Sequence, residues 1–122
     1  MTAEIKKGLV LLKSLIFHYH GLDQDEKKIL EKYVEELDAW EEYKWSTDFI
    51  ALDYLSAFER SKEFLGKIFN AMPEKERLGY LIDTWESNHR KGFVTEMETT
   101  AMLNLAKDWS IEKQFMQQIN QA

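Results

Sequence analysis

The chain of 122 residues contains no cysteine, only one proline and only five glycines. The absence of cysteine excludes a disulfide framework and any zinc site built on thiolates, and it suits a reducing cytoplasm, where we expect the protein to reside. The scarcity of proline and glycine favours long helices joined by short connections. Since no stretch favours a strand, we expect a single all-helical domain over residues 1–122.

Basic residues are also fewer than acidic ones. The chain has 16 Lys and Arg against 22 Asp and Glu, which gives a net charge of −6. This balance argues against nucleic acid and anionic membranes as partners and permits cations or basic proteins. The longest apolar stretch, residues 8–17, is interrupted by Lys13 and is too short to span a bilayer. We therefore expect a buried helix there and no membrane insertion.

The strongest local signal lies in residues 89–109. Gly92 stops the preceding helix, and Thr95 with Glu98 three residues later has the spacing of a capping box. An apolar stripe at helical spacing follows, made by Met102, Leu105, Ala106 and Trp109. The pattern predicts a helix, a tight turn and a second helix.

A weaker copy of this pattern occupies residues 18–37. Gly21 is the stop, Asp23 the N-cap and Glu26 the third helical residue, and the last two precede Thr95 and Glu98 by 72 positions. The apolar positions Leu30, Tyr33, Val34 and Leu37 match the stripe at the same offset. We predict two repeats, about 5–37 and 76–109, related by approximate two-fold symmetry. The alternative is that any two capped amphipathic helices would align this well.

The remaining pattern completes a compact bundle of about five to seven helices. The first helix is apolar on most sides, which places it in the middle of the bundle. We expect the first helix over Thr2–Tyr19, the second from Asp23 to about Trp45, and the third from Ser46 or Thr47 to about Met72, with Leu55 facing the core. The fourth helix should begin at Pro73, the fifth should run from Thr95 to about Asp108, and Ser110 should cap a short last helix.

Few residues favour catalysis or metal binding. His18 and His20, followed by Asp23 and Asp25, could hold a divalent ion, but a solvated helix end is the favoured explanation. Glu26 and Glu98 would form paired carboxylates if the repeats pack symmetrically, although capping accounts for both. No EF-hand, glycine-rich phosphate loop or nucleophilic triad occurs. We predict a protein that is not an enzyme and has no cofactor, in which a divalent cation is permitted but not favoured.

The segment around residues 31–45 is the best candidate for partner binding. Glu31, Glu35, Asp38 and Glu42 would form an acidic ridge on the second predicted helix, and Trp40, Tyr43 and Trp45 gather at its end. One helix cannot bury all three rings on one side, so at least one should lie near the surface, where tryptophan favours interfaces. The alternative is that the rings close the core at a helix junction. We predict a protein partner of basic character.

The two turns resemble those of the TerB-like, tellurite-resistance-associated family of small helical proteins. Gly92, Val94, Thr95, Glu98, Ala106, Trp109, Ser110 and Ile111 fit its pattern, and Gly21, Asp23 and Glu26 fit it less completely. The resemblance implies a pseudo-symmetric bundle with acidic patches, linked to metal-ion binding and stress response. However, the family's turn aspartates are replaced here by His20 and Lys91, which weakens the implied metal role.

Two functional hypotheses follow. The first is a cytoplasmic, non-enzymatic binding protein that works in a stress-response or membrane-associated complex. The second is an acidic inhibitor or immunity-type protein that masks a basic site on its target.

Overall fold

The computed structural model describes residues 1–18, 24–89 and 94–120, so Gly21, Asp23 and Gly92 lie outside the described residues. The described residues form seven helices and no strand, which confirms the predicted all-α bundle of five to seven helices. The helices are α1 Ala3–Phe17, α2 Gln24–Leu37, α3 Trp40–Ala51, α4 Ala57–Phe69, α5 Glu74–His89, α6 Glu96–Asp108 and α7 Glu112–Ile119.

Helix α1 lies at the centre, as its apolar pattern predicts. Thr2 caps it by accepting the Ile5 N–H at 3.2 Å, and its residues 8–17 are all buried. It packs against α2, α3, α4, α5 and α6. Gly8 permits the close approach of α4, because a Cβ at this position would lie 3.2 Å from both Ile68 and Phe69.

The second predicted helix is in fact two helices, and its predicted continuation to Trp45 is wrong. Asp38 adopts a left-handed backbone, with φ 51°. Its N–H donates to the Glu35 carbonyl at 3.1 Å, and the Ala39 N–H donates to the Val34 carbonyl at 3.0 Å. This pair of bonds is a Schellman motif, which ends α2 and turns the chain into α3. The motif escaped prediction because it normally carries glycine at the left-handed position.

The predicted helix boundary at Ser46 or Thr47 and the predicted helix to Met72 are also wrong. Ser46 and Thr47 lie inside α3, and the chain instead leaves helical structure between α3 and α4. Arg60 holds this connection, since its guanidinium donates to the carbonyls of Phe49 at 2.7 Å and Asp53 at 2.8 Å. Leu55, expected in the core, lies on this connection and is 99% exposed.

The end of α6 repeats the turn found after α2. Ser110 has φ 58° and donates its N–H to the Lys107 carbonyl at 3.1 Å, while the Ile111 N–H donates to the Ala106 carbonyl at 2.9 Å. Ser110 is therefore the left-handed residue of this turn and not the side-chain cap that the sequence suggested. Asp38 and Ser110 are the non-glycine residues with positive φ in the described part of the chain, and they are 72 positions apart.

The offset of 72 also relates features on either side of these turns. The buried carboxylates Glu26 and Glu98 share it, and so do the first residues of α2 and α6 and those of α3 and α7. Helices α1 and α5 begin 71 positions apart. These correspondences agree with the predicted repeats and would extend each of them from two helices to three. The two-fold relation itself stays a prediction.

Replacing either left-handed residue with glycine should stabilise the protein. A left-handed backbone costs a non-glycine residue about 1–2 kcal/mol, and glycine avoids this cost. Glycine also makes the unfolded chain more flexible, which offsets about 0.5–1 kcal/mol of the gain in stability. We expect Ser110→Gly to raise the free energy of unfolding by about 0.5–1 kcal/mol in urea titration, and Asp38→Gly by less, because Asp tolerates this conformation better than Ser. The control Lys107→Gly, inside α6, should lower it by about 0.5–1 kcal/mol. A loss of stability in Ser110→Gly would contradict the assigned turn.

Candidate functional site

The predicted partner-binding residues come together where α2 turns into α3. Trp40 is the first residue of α3 and is 45% exposed. Its indole Nε1–H donates to the Glu35 carboxylate at 3.0 Å, and its ring meets that of Tyr43 edge-on, with centroids 5.9 Å apart. The result is a large aromatic ring that is held in one orientation while much of its surface remains in solvent. This arrangement suits an interface, because little side-chain freedom is lost when a partner covers the ring.

Acidic side chains surround this ring. Glu31 lies on α2, and its carboxylate is 4.0 Å from the Lys27 ammonium. Burial raises the pKa of Tyr43, and the negative charge of Glu31 raises it further. On the other side, Asp38 and Glu42 line an open cavity beside Trp40, together with Met1, Ala3, Lys6 and Glu41. The face is therefore apolar at its centre and predominantly negative around it, with Lys6 at the edge of the cavity. We call this set the Trp40 face, defined by Glu31, Glu35, Asp38, Trp40, Glu41, Glu42 and Tyr43.

Two details of the predicted surface need correction. The acids do not form a continuous ridge on one helix, because the left-handed turn at Asp38 puts Glu31 and Glu35 on α2 and Glu42 on α3. Trp45 does not belong to the face. Its half-buried ring stacks on Phe49 at 5.0 Å, and the Lys7 ammonium lies 5.0 Å from its centroid. Trp45 thus closes the core, whereas Trp40 is the ring near the surface.

The second half of the chain has the same backbone turn with different side chains around it. The residue 72 positions after Trp40 is Glu112, an exposed acid that also begins a helix after the same turn. Of the five acids on the Trp40 face, none has an acidic counterpart at this offset. The counterparts are Leu103, Lys107, Ser110, Lys113 and Gln114.

The candidate metal ligands serve other roles or are not brought together. The Glu98 carboxylate accepts the Thr95 backbone N–H at 3.1 Å and its hydroxyl at 2.9 Å, which confirms the predicted capping box. Glu26 is fully buried at the equivalent place in α2, while Asp23 and His20 lie outside the described residues. His18 ends α1, where burial lowers its pKa. Among the described residues, no three His, Asp or Glu side chains are grouped as a metal site.

A buried cation that the sequence analysis missed ties three helices together. Lys13 is 3% exposed, and its ammonium contacts the Asp83 carboxylate at 3.0 Å and the Ser87 hydroxyl at 2.9 Å. It also lies 3.5 Å from the ring centroid of Tyr33, whose pKa is raised by burial and then by Asp83. Lys13 is the interruption in the apolar stretch of α1, and its partners on α5 and α2 could not be identified without the tertiary structure. We interpret the cluster as structural.

The sequence analysis also missed an exposed apolar surface at the α3–α4 connection. Leu52, Tyr54 and Leu55 are each more than two-thirds exposed, and Met97 of α6 is 60% exposed. The available signal was Asp53 followed by Ser56, which favours a turn, but the apolar periodicity of the segment concealed it.

Comparison of the chain with models of known protein families, with curated proteins and with solved structures finds no match. The resemblance to the TerB-like family therefore still depends on the motif residues alone. In the described part of the chain, no helix is both long and apolar enough to cross a membrane.

We predict that calcium and zinc bind no more tightly than about 10 μM, the weak end of the range for calcium sensors. The Glu98 carboxylate is already engaged by Thr95, so a cation would have to displace both hydrogen bonds. Calorimetric titration with each ion is the measurement. Tighter binding that disappears in Glu98→Gln would contradict the prediction and restore the metal role that the family resemblance implies.

Proposed function

We propose that the chain is a non-enzymatic binding protein whose Trp40 face docks onto a basic segment of a partner protein. The observation that carries this proposal is the exposed ring of Trp40, which Glu35 holds in place and acids surround. Tryptophans of this kind dominate the energy of many interfaces, while complementary charge sets the choice of partner and the rate of encounter.

Two features favour a functional origin of the face over a structural one. Trp40 stands where the second half of the chain has Glu112, so a polar residue is compatible with this position in the fold. The acids also repel one another across the turn. Lys27 offsets part of this repulsion, because its ammonium lies 4.0 Å from the Glu31 carboxylate. A basic partner would relieve that repulsion on binding.

From the family resemblance, we propose a cytoplasmic stress-response or membrane-associated complex as the setting of this activity. The same face would also serve an inhibitor or immunity-type protein that covers a basic site on its target. Neighbouring genes distinguish the two settings, since a stress-response operon favours the first and an adjacent toxin-like gene the second. Both settings require the same contact between an acid-rimmed ring and a basic surface.

Charge reversal on the Trp40 face should abolish capture of the native partner. We expect Glu35→Lys combined with Glu42→Lys to fold normally, as judged by circular dichroism and thermal unfolding, because Glu35 is exposed and Glu42 is only half-buried. The double variant should fail to retain the protein that the parent chain captures from lysate, as measured by mass spectrometry. Trp40→Glu, which introduces the residue of the equivalent position, should also fold and lose the partner.

The matched control is Glu86→Lys combined with Glu112→Lys, which makes the same change in net charge at exposed positions outside the face. This control should retain the partner. If the Trp40-face variants retain it as well, at low and at moderate salt, the face is only a solvated surface. If the control also loses the partner, the attraction depends on overall charge and not on this face.

A further inference from the structure

A second surface, separate from the Trp40 face, lies between the N-terminal halves of α4 and α6. The other ends of these two helices are in contact, since Phe69 stacks on Trp109 at 4.2 Å and the Asn70 amide donates to the Asp108 carbonyl at 3.4 Å. Toward their N-termini, a cavity of about 490 Å³ separates them. Among the described residues, its lining includes Phe58, Glu59, Glu96, Met97, Thr100, Ala101 and Asn104.

A second cavity of about 350 Å³ adjoins the first, and Phe58 and Met97 line both. The second cavity has a buried apolar floor of Leu15, Ile50 and Ala57. We call the two together the α4–α6 groove. It leads from the exposed apolar residues of the α3–α4 connection to the middle of α6.

The apolar wall of this groove is held in place. Arg60 bonds to the carbonyls of Phe49 and Asp53 and to the Ser56 hydroxyl at 2.9 Å, and the Leu55 N–H donates to the Asp53 carboxylate at 3.1 Å. The exposure of Leu55 is therefore built into the connection. A contiguous group of large apolar side chains that is exposed to solvent around a groove usually indicates an interaction site.

Charges at the groove select its occupant. Glu59 of α4 and Glu96 of α6 line opposite sides, and neither makes an ion pair with the described residues. Acids in the first turn of a helix also stabilise that helix, so the charges alone would not indicate a ligand. Their position beside Phe58 and Met97, the apolar side chains that line both cavities, does, because an amphipathic helix with lysine or arginine along its edges would cover these side chains and neutralise both acids.

The same charges argue against two other occupants. A second copy of this chain would bring Glu59 and Glu96 against acids of a molecule whose net charge is also −6. An anionic membrane would meet the same repulsion. We propose that the α4–α6 groove docks an amphipathic, basic helical segment of a partner protein, with its apolar side chains on Phe58, Leu55 and Met97 and its cations beside Glu59 and Glu96.

A defined peptide tests this proposal without knowledge of the partner. The probe is a synthetic helix of leucine and lysine, about 15 residues long, with its lysines on one face. The readout is the NMR signal of the Met97 methyl group in protein labelled with ¹³C-methyl methionine. Met116, 42% exposed on α7, is the internal reference. We expect a saturable shift of Met97 and none of Met116.

Variants then locate the contact. Glu59→Lys combined with Glu96→Lys should lower the affinity for the peptide by about tenfold or more, since two attractive contacts become repulsive. Leu55→Ser changes an exposed side chain and should leave the fold intact. It should lower the affinity by about tenfold, because less apolar surface is buried on binding. Glu86→Lys combined with Glu112→Lys has the same change in charge and should leave the affinity within about threefold.

Four outcomes would overturn the proposal. The first is a Met97 signal that the peptide leaves unchanged. The second is equal weakening in the matched control, which would reduce the binding to net charge. The third is a Met97 shift that depends on protein concentration without peptide, which would assign the groove to a second copy. The fourth is a larger response to anionic lipid vesicles, or to a peptide with glutamate in place of lysine, than to the basic peptide.

Discussion

The burial of α1 is the constraint on which the rest of the structure depends. This helix is covered along residues 8–17, so other helices must pack around its whole circumference. Five of them do so, and the closest approach uses Gly8, which admits Ile68 and Phe69 of α4. Once α1 is covered, the surfaces that remain for binding lie at the edges of the bundle, where the covering helices turn or separate.

One such edge is produced by the backbone turn at Asp38. Because the turn ends α2 and starts α3 within two residues, it puts Trp40 close enough to Glu35 for a hydrogen bond across the junction. The turn at Ser110 has the same backbone bonds, but it is followed by the exposed acid Glu112 instead of an exposed tryptophan. The turn is thus a property of the fold, whereas the chemistry of the Trp40 face belongs to the first half of the chain only.

The other edge is the place where α4 and α6 separate. Stacking of Phe69 on Trp109 fixes one end of this helix pair, and Arg60 fixes the connection that borders the other end. The Trp40 face and the α4–α6 groove share no residue, yet both combine an apolar centre with acids that basic groups would complement. A protein with two such surfaces is suited to hold basic partners by contact, and this is consistent with the proposed non-enzymatic role.

The sequence alone determined the helical class, the central position of α1, the capping box at Thr95 and the surface position of at least one ring among Trp40, Tyr43 and Trp45. These features follow from periodicity, side-chain capping and helix geometry, which act over a few residues. It failed at Asp38 and Leu55, left open whether Trp45 lies in the core, and could not identify the partners of Lys13. Only the tertiary structure decided these, because each depends on hydrogen bonds, ion pairs or ring contacts that helical periodicity does not encode. The Lys6 ammonium donates to the Asp38 carbonyl, Arg60 donates to the Phe49 and Asp53 carbonyls beside Leu55, and Lys13 reaches Asp83 on α5.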